Sequence, residues 1–242
     1  MGEVKDYFDA RNKQVQANIK DRDLSCDVYR FKEALHRVNY MKNFSWRGVP
    51  IMQYPSDLMV MQELISQIKP LFIVETGVAF GGMTTFYADM LRLCGGEKVI
   101  GIDVDIRPHA EQMFMERNDE RIVLVRGSSI DEKTAQMVKE RVNYAGNIIV
   151  SLDSNHTHEH VLQELKLYAP LVSIGSYIVV FDTEIEEYWH YMNRERPWGP
   201  GNNPWTAVQE FLKTNDDFIV DKEIEGRAII TSAPGGWLRR IK

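Results

Sequence analysis

The chain is predicted to fold as a doubly wound α/β domain, with a seven-stranded, mostly parallel sheet, one antiparallel strand and extra N-terminal helices. Three observations carry this expectation. From residue 70 onward, short apolar runs alternate with helical spacing, the pattern of a parallel sheet with helices on both faces. The run Phe72-Ile-Val-Glu-Thr-Gly-Val-Ala-Phe-Gly-Gly82 passes from strand through a glycine-bearing turn into a helix. Finally, the two expected strands nearest the C-terminus are separated only by Gly226, too short for a crossover helix, so they are expected to pair as an antiparallel hairpin.

In chain order, residues 1–45 are rich in charge and carry apolar residues at helical spacing (Val28, Phe31, Leu35, Val38), which predicts one or two helices outside the sheet. They are read as an extension preceding a single catalytic unit, 46–242. A loop with two prolines, Trp46–Pro55, leads into a helix over 56–68 that Pro70 stops. Strands are expected near 72–76, 98–103, 121–125, 147–152, 176–181, 217–224 and 227–233. The intervening helices are expected near 83–93, 108–117, 131–142, 158–168 and 204–214.

The totals narrow the function classes. With 242 residues, 44% hydrophobic and 26% charged, the chain has the composition of a globular protein with a substantial core. No apolar run approaches the ~18 residues of a membrane span. The N-terminus lacks the apolar stretch of a signal peptide, which points to the cytoplasm. Cys26 and Cys94 make neither a disulfide framework nor a metal motif. A net charge of −6 without a basic stripe argues against nucleic acid and for a small-molecule substrate.

The glycine turn holds the first chemical signal. Glu75-x-Gly77-x-x-x-Gly81-Gly82 departs from the dinucleotide pattern G-x-G-x-x-G and sets a carboxylate before the first glycine. A carboxylate there would repel a pyrophosphate and suits an ammonium group. Glycines at Gly77, Gly81 and Gly82, with Ala79 between them, let a backbone approach a ligand at a helix N-terminus. The next strand, Val99-Ile-Gly-Ile-Asp103, ends in an acid placed to accept hydrogen bonds from ribose hydroxyls. A nucleoside with a cationic appendage answers both, and S-adenosyl-L-methionine fits.

The remaining strand ends are polar as well: Ser128 and Ser129 after the third, Asp153-Ser-Asn-His-Thr-His158 after the fourth, Asp182-Thr-Glu184 after the fifth. Asp153 and Asp182 end neighbouring strands, and two hard oxygen ligands suit Mg²⁺. His156 is the first choice of general base for an acceptor hydroxyl, while His158 and His160 are expected to face solvent or begin the helix. The segment Arg194–Trp205 combines prolines, glycines, two tryptophans and amides, a chemistry for holding sugars, with Trp198 and Asn202 as contacts; Trp46 and Gln53 are candidates for the opposite wall.

With these residues in place, the chain resembles the cephalosporin hydroxylase-like and rhamnosyl O-methyltransferase-like proteins, relatives of catechol O-methyltransferase. The likeness runs from about Trp46 to Lys242 and is strongest in Pro70–Gly77, Gly101-Ile-Asp103, Leu152-Asp-Ser154, Val180-Phe-Asp-Thr183 and Arg196-Pro-Trp-Gly199. It implies the class I methyltransferase sheet and methyl transfer from S-adenosylmethionine to a hydroxyl of a sugar, an activated sugar or a phosphoryl-containing glycan precursor, or of a natural product. On the matching positions, Glu75, Gly77 and Asp103 would hold the cofactor, Ser129 would touch adenine, and Asp153, also beside the cofactor, would share the metal with Asp182. His156 falls where the catechol enzymes place a lysine. The family commonly has an acid before the second metal aspartate, where this chain has Phe181, so Glu184 or substrate would complete the metal, or the chain is a scaffold without turnover. An iron-dependent hydroxylase would want a double-stranded β fold, which the alternation opposes. The N-terminal helices and exposed aromatics predict self-association.

Overall fold

A computed structural model describes residues 2–143, 146–191 and 195–242. Two helices open the chain, α1 (Gly2–Asn18) and α2 (Arg22–Arg37), the latter capped by Asp21, whose carboxylate accepts from the Leu24 N–H. A two-stranded ribbon, β1 (Ser45–Trp46) and β2 (Val49–Pro50), turns through Arg47 and Gly48, both at positive φ, the primed-turn conformation that suits a tight hairpin. Then come α3 (Pro55–Ile68), β3 (Phe72–Thr76), α4 (Gly82–Cys94), β4 (Lys98–Asp103), α5 (Pro108–Arg117), β5 (Ile122–Arg126), α6 (Glu132–Val142), β6 (Ile148–Leu152), α7 (His158–Tyr168), β7 (Tyr177–Val180), the short α8 (Ile185–Tyr188), α9 (Pro204–Thr214), β8 (Phe218–Val220), α10 (Lys222–Ala228) and β9 (Trp237–Arg240).

The main sheet runs β5-β4-β3-β6-β7-β9-β8, with β9 antiparallel to both its neighbours and the other pairs parallel. The chain leaves β3 in one direction and returns at β6, so the switch point lies between the carboxyl ends of β3 and β6, where a doubly wound sheet opens a crevice. Alternate residues of the buried strands feed two cores: Val74, Ile100 and Val150 pack under α6, α7 and α9, while Ile73, Val99 and Ile149 pack under α3 and α4. Among the described residues no helix is long and apolar enough to cross a membrane.

Two expectations are corrected. The predicted strand 227–233 is the end of α10 followed by a buried loop, and the reversed strand is β9, further along. Ile229 takes φ +59 and donates its N–H to the Glu225 carbonyl, which ends the helix. The loop's polar groups are met by Asp57, which accepts from the Ser232 N–H and hydroxyl at 2.9 Å each. Burial there comes from loop packing, which an apolar run cannot distinguish from strand pairing. Gly226 is therefore no hairpin turn. It lets α1 approach α10, since a Cβ would sit 2.6 Å from the Ile19 side chain and 3.0 Å from the Val15 carbonyl. The spacing at Val28, Phe31, Leu35 and Val38 does mark a helix, α2 with Val38 at its C-cap, but not the residues that pack. Leu35 and Lys32 are buried, whereas Phe31 and Val38 are 53% and 64% exposed.

Candidate active site

At the switch point, Gly77 adopts φ +88, and a Cβ there would lie 2.1 Å from the Asp153 carbonyl oxygen. Glycine thus lets the turn after β3 lie against the end of β6. A Cβ on Gly82 would meet the Pro50 carbonyl at 2.2 Å, and one on Gly81 would meet the Phe114 ring at 2.5 Å. The close approaches expected for a ligand at Gly81 and Gly82 are made to the protein's own chain, which fixes where α4 begins.

Asp103 organises this turn: one carboxylate oxygen accepts the Val78 and Ala79 N–H groups at 2.8 and 3.2 Å, the other the Asp105 N–H at 2.9 Å. Glu75 is 1% exposed and accepts from the Thr84 hydroxyl at 2.5 Å. Burial pushes its carboxyl up to about 8; Thr84 opposes the rise and Asp103 adds to it. The two acids therefore share one neighbourhood, which a cationic group would relieve. The Ser128 carbonyl accepts the Asp131 N–H at 3.0 Å. The Ser129 hydroxyl lies 3.0 Å from His160 Nε2, in a buried cluster with Ser154 and Glu164. His160 therefore does not face solvent as expected. His158 does begin α7, with its ring between Thr206 and Glu210.

Asp153, His156 and Asp182 converge, each offering a ligand atom within 4.8 Å of the others. His156 Nε2 is 3.3 Å from Asp182. Asp182 reaches this position from a left-handed backbone, φ +56, which aspartate tolerates better than most side chains. Burial and then the charge of Asp182 hold the Asp153 carboxyl above the usual range; burial raises Asp182 as well, against the pull of His156. Two mutually repelling carboxyls beside an imidazole form a donor set that fits a divalent cation.

Gln53 is the residue whose role composition could not show. It is 2% exposed, donates to Asp153 at 3.0 Å and accepts from Ser232 at 3.2 Å, so it aims the carboxylate from below. Trp198 meets the His156 ring edge-on at 4.8 Å and, with Tyr54, lines a cleft of about 320 Å³ beside Asp182. Trp46 is not brought to this cleft: its indole N–H donates to Asp89 on α4 at 2.9 Å and its ring packs on Phe86. Asn202 is spent on the loop, accepting the His158 N–H and donating to the Pro197 carbonyl. Arg194, the start of the expected sugar-holding segment, lies outside the described residues. Phe181, just past β7, is core, edge-on to Trp237 at 5.9 Å, while Asp182 beside it takes a left-handed backbone.

Glu184 does not complete the metal set as expected. It is fully buried and ion-paired with Lys32 of α2 at 2.6 Å, with His36 at 3.5 Å. Burial alone would raise its carboxyl, but Lys32 and His36 outweigh that and hold it below the ordinary value. Lys32 also donates to the Thr231 carbonyl at 2.8 Å and lies 4.6 Å from the Tyr188 ring centre. Lys32→Met is therefore expected to cost about 3–5 kcal/mol, since it leaves an uncompensated buried carboxylate. Urea unfolding of Lys32→Met, with Lys32→Met/Glu184→Gln as the partly restored control, measures it, and a single-variant loss under about 1 kcal/mol would contradict the pairing.

The chain has counterparts among known proteins. The family model for rhamnosyl O-methyltransferase/CmcI matches residues 38–241. The chain belongs to that family. A rhamnosyl O-methyltransferase of Mycobacterium bovis is 32% identical over 207 residues, covering 84% of this chain and 78% of the relative. That of Mycobacterium leprae is 28% identical over 204 residues, covering 81% and 82%. Among solved structures, apo CmcI aligns with a TM-score of 0.60 at 22% identity, covering 83% of this chain and 77% of that one. CmcI with Mg and SAM aligns at 0.59 and 22%, covering 83% and 78%. These two share the fold of this family member, a seven-stranded sheet with one reversed strand.

Proposed function

We propose that this family member is an S-adenosylmethionine-dependent O-methyltransferase acting on a sugar hydroxyl with the help of a divalent cation. The observation that carries the reading is the convergence of Asp153, His156 and Asp182 beside the Glu75/Asp103 turn at one switch point. The names of the mycobacterial relatives and the Mg and SAM in the CmcI structure support it.

S-adenosylmethionine supplies a methyl group on sulfur; the S–CH₃ bond breaks as the O–CH₃ bond forms. Glu75 would face the cofactor's ammonium, Asp103 its ribose hydroxyls, and Ser128 and Ser129 would close the adenine end. Asp153 and Asp182 would hold the cation, Mg²⁺ by their hard oxygen donors, and when bound it would supply Lewis acidity to the acceptor hydroxyl. A ring nitrogen of His156 would take the hydroxyl proton, and the Asp182 carboxylate, 3.3 Å from Nε2, would stabilise the resulting imidazolium. A second role for His156, as third ligand, is favoured by the 4.8 Å convergence. Trp198 stacks on the acceptor and fixes its approach. Residues 46–242 form the catalytic unit, and the extension before them closes one wall of the cleft. The protein is taken to act in the cytoplasm as a homo-oligomer, which light scattering of the purified protein tests.

Calorimetric titration with S-adenosylmethionine is expected to show one site, weakened at least about tenfold in Asp103→Ala through loss of charge-assisted ribose contacts. Mass spectrometry of rhamnoside acceptors should then show added methyl groups. Absence of cofactor binding by well-folded protein would end this reading.

A further inference from the structure

The acceptor cleft has a charge balance that the methyl-transfer chemistry does not use up. Two carboxylates line it, Asp182 and Glu184. Asp182 belongs with His156 and Asp153, and Glu184 is neutralised by Lys32. Two cations share the lining: Lys42, from the turn after α2, and Arg196, from the loop before α9. Neither makes an ion pair among the described residues. The Arg196 guanidinium lies 5.3 Å from the centre of the Trp198 ring, a cation–π contact that leaves N–H groups for a planar anion. Tyr54, also on the lining and 1% exposed, carries a buried hydroxyl with no hydrogen-bond partner among the described residues. Tyr54 thus brings to the cleft a buried donor that lacks an acceptor, which is costly unless a ligand meets it, while Lys42 and Arg196, both exposed, bring positive charge that no ion pair among the described residues takes up.

We propose that the acceptor sugar carries an anionic oxygen group, a carboxylate or a phosphoryl, which Lys42 and Arg196 receive while Tyr54 donates to a ring substituent. This rests on the O-methyltransferase reading and narrows its substrate class. Trp198 lies beside both groups, with the Arg196 guanidinium 5.3 Å and the His156 ring 4.8 Å from the centre of its ring, so the anion and the reacting hydroxyl are received at the same tryptophan.

The test is titration of the full-length protein, with Mg²⁺ and S-adenosylhomocysteine present, by three probes: methyl glucoside, methyl glucuronide and glucose 1-phosphate. At low salt the two anionic probes together bracket the chemistry. At least one is expected to bind about tenfold or more tightly than the neutral glucoside, a preference that shrinks as salt is raised. The tighter of the two names the source of the anion. Arg196→Gln/Lys42→Met, both at exposed positions, should erase the preference and melt like the parent. Equal affinity for all three probes, no binding of either anion, or a preference that survives the double variant would overturn the proposal. Cofactor binding measured in the same samples separates the failures: loss of it defeats the methyltransferase reading, whereas intact cofactor binding without anion preference defeats only this one.

Discussion

Asp153→Asn and Asp182→Asn are each expected to weaken divalent-cation binding by on the order of 100-fold or more, and to make the metal-free protein melt higher than the parent. Both effects follow from one arrangement. The two carboxylates lie with His156 in a set whose ligand atoms are within 4.8 Å of one another, and burial and then the charge of Asp182 raise Asp153. Without a cation they repel across a half-buried space, so neutralising either relieves the fold; with a cation they are the ligands, so neutralising either removes a donor. The substitutions are isosteric, and each keeps what its position needs. The amide oxygen introduced by Asp153→Asn would still accept from Gln53, and asparagine tolerates the left-handed backbone at position 182 as well as aspartate does. Titration with MnCl₂ and thermal melts with and without Mg²⁺ read both sides. A variant that binds the cation like the parent removes that residue from the metal set. His156→Gln sorts the two roles of the histidine: unchanged cation affinity with a slower rate marks a base, and reduced affinity marks a ligand.

The acidic strand ends were legible because each closes an apolar run at a position where a doubly wound sheet must expose it. Glu75, Asp103, Asp153 and Asp182 needed only strand assignment and the switch-point rule to be gathered. What surrounds them was not legible, because it depends on partners far away in the chain. Nothing local marks Lys32 as the buried residue of α2 rather than Phe31; the choice is made by Glu184, which an apolar side chain would leave unpaired. Gln53 reads as a loop amide until Asp153 and Ser232 are seen on either side of it. Trp46 has the chemistry of a sugar platform, but Asp89 and Phe86 on α4 claim it first. The misplaced last strand has the same origin, since Ile229 and Ile230 look like strand residues to any pattern count and become a helix end and a loop only through tertiary packing. Local periodicity therefore located the acids and the sheet, while the loop and helix that aim the acids were set by long-range pairing.

Glu75→Gln is expected to stabilise the fold at pH 8 and at the same time to cripple cofactor binding. The carboxyl is raised by burial from 4.5 to about 8, so the folded chain holds a proton there that the unfolded chain has released over that interval. With more protons on the native state, stability falls as pH rises from about 4.5 to about 8 and is flat beyond. That span corresponds to roughly 4 kcal/mol at pH 8. Glutamine removes the titration while keeping an oxygen to accept from Thr84. Melts of the variant should thus change less between pH 5 and pH 8 than those of the parent, and lie above them at pH 8. Affinity for S-adenosylmethionine should fall by about 10- to 100-fold, the worth of a charge-assisted hydrogen bond to the ammonium. The parent's affinity should also rise with pH across the same interval, because the cofactor's cation binds the ionised carboxylate, and the variant should lose that dependence. The two readouts fail independently. A variant no more stable than the parent at pH 8 would show that the buried carboxyl is not held protonated, and a variant with parental cofactor affinity would show that the ammonium lies elsewhere. If both effects appear, Glu75 is a site where fold stability is given up for binding: a charge buried at a cost that only its cationic ligand offsets.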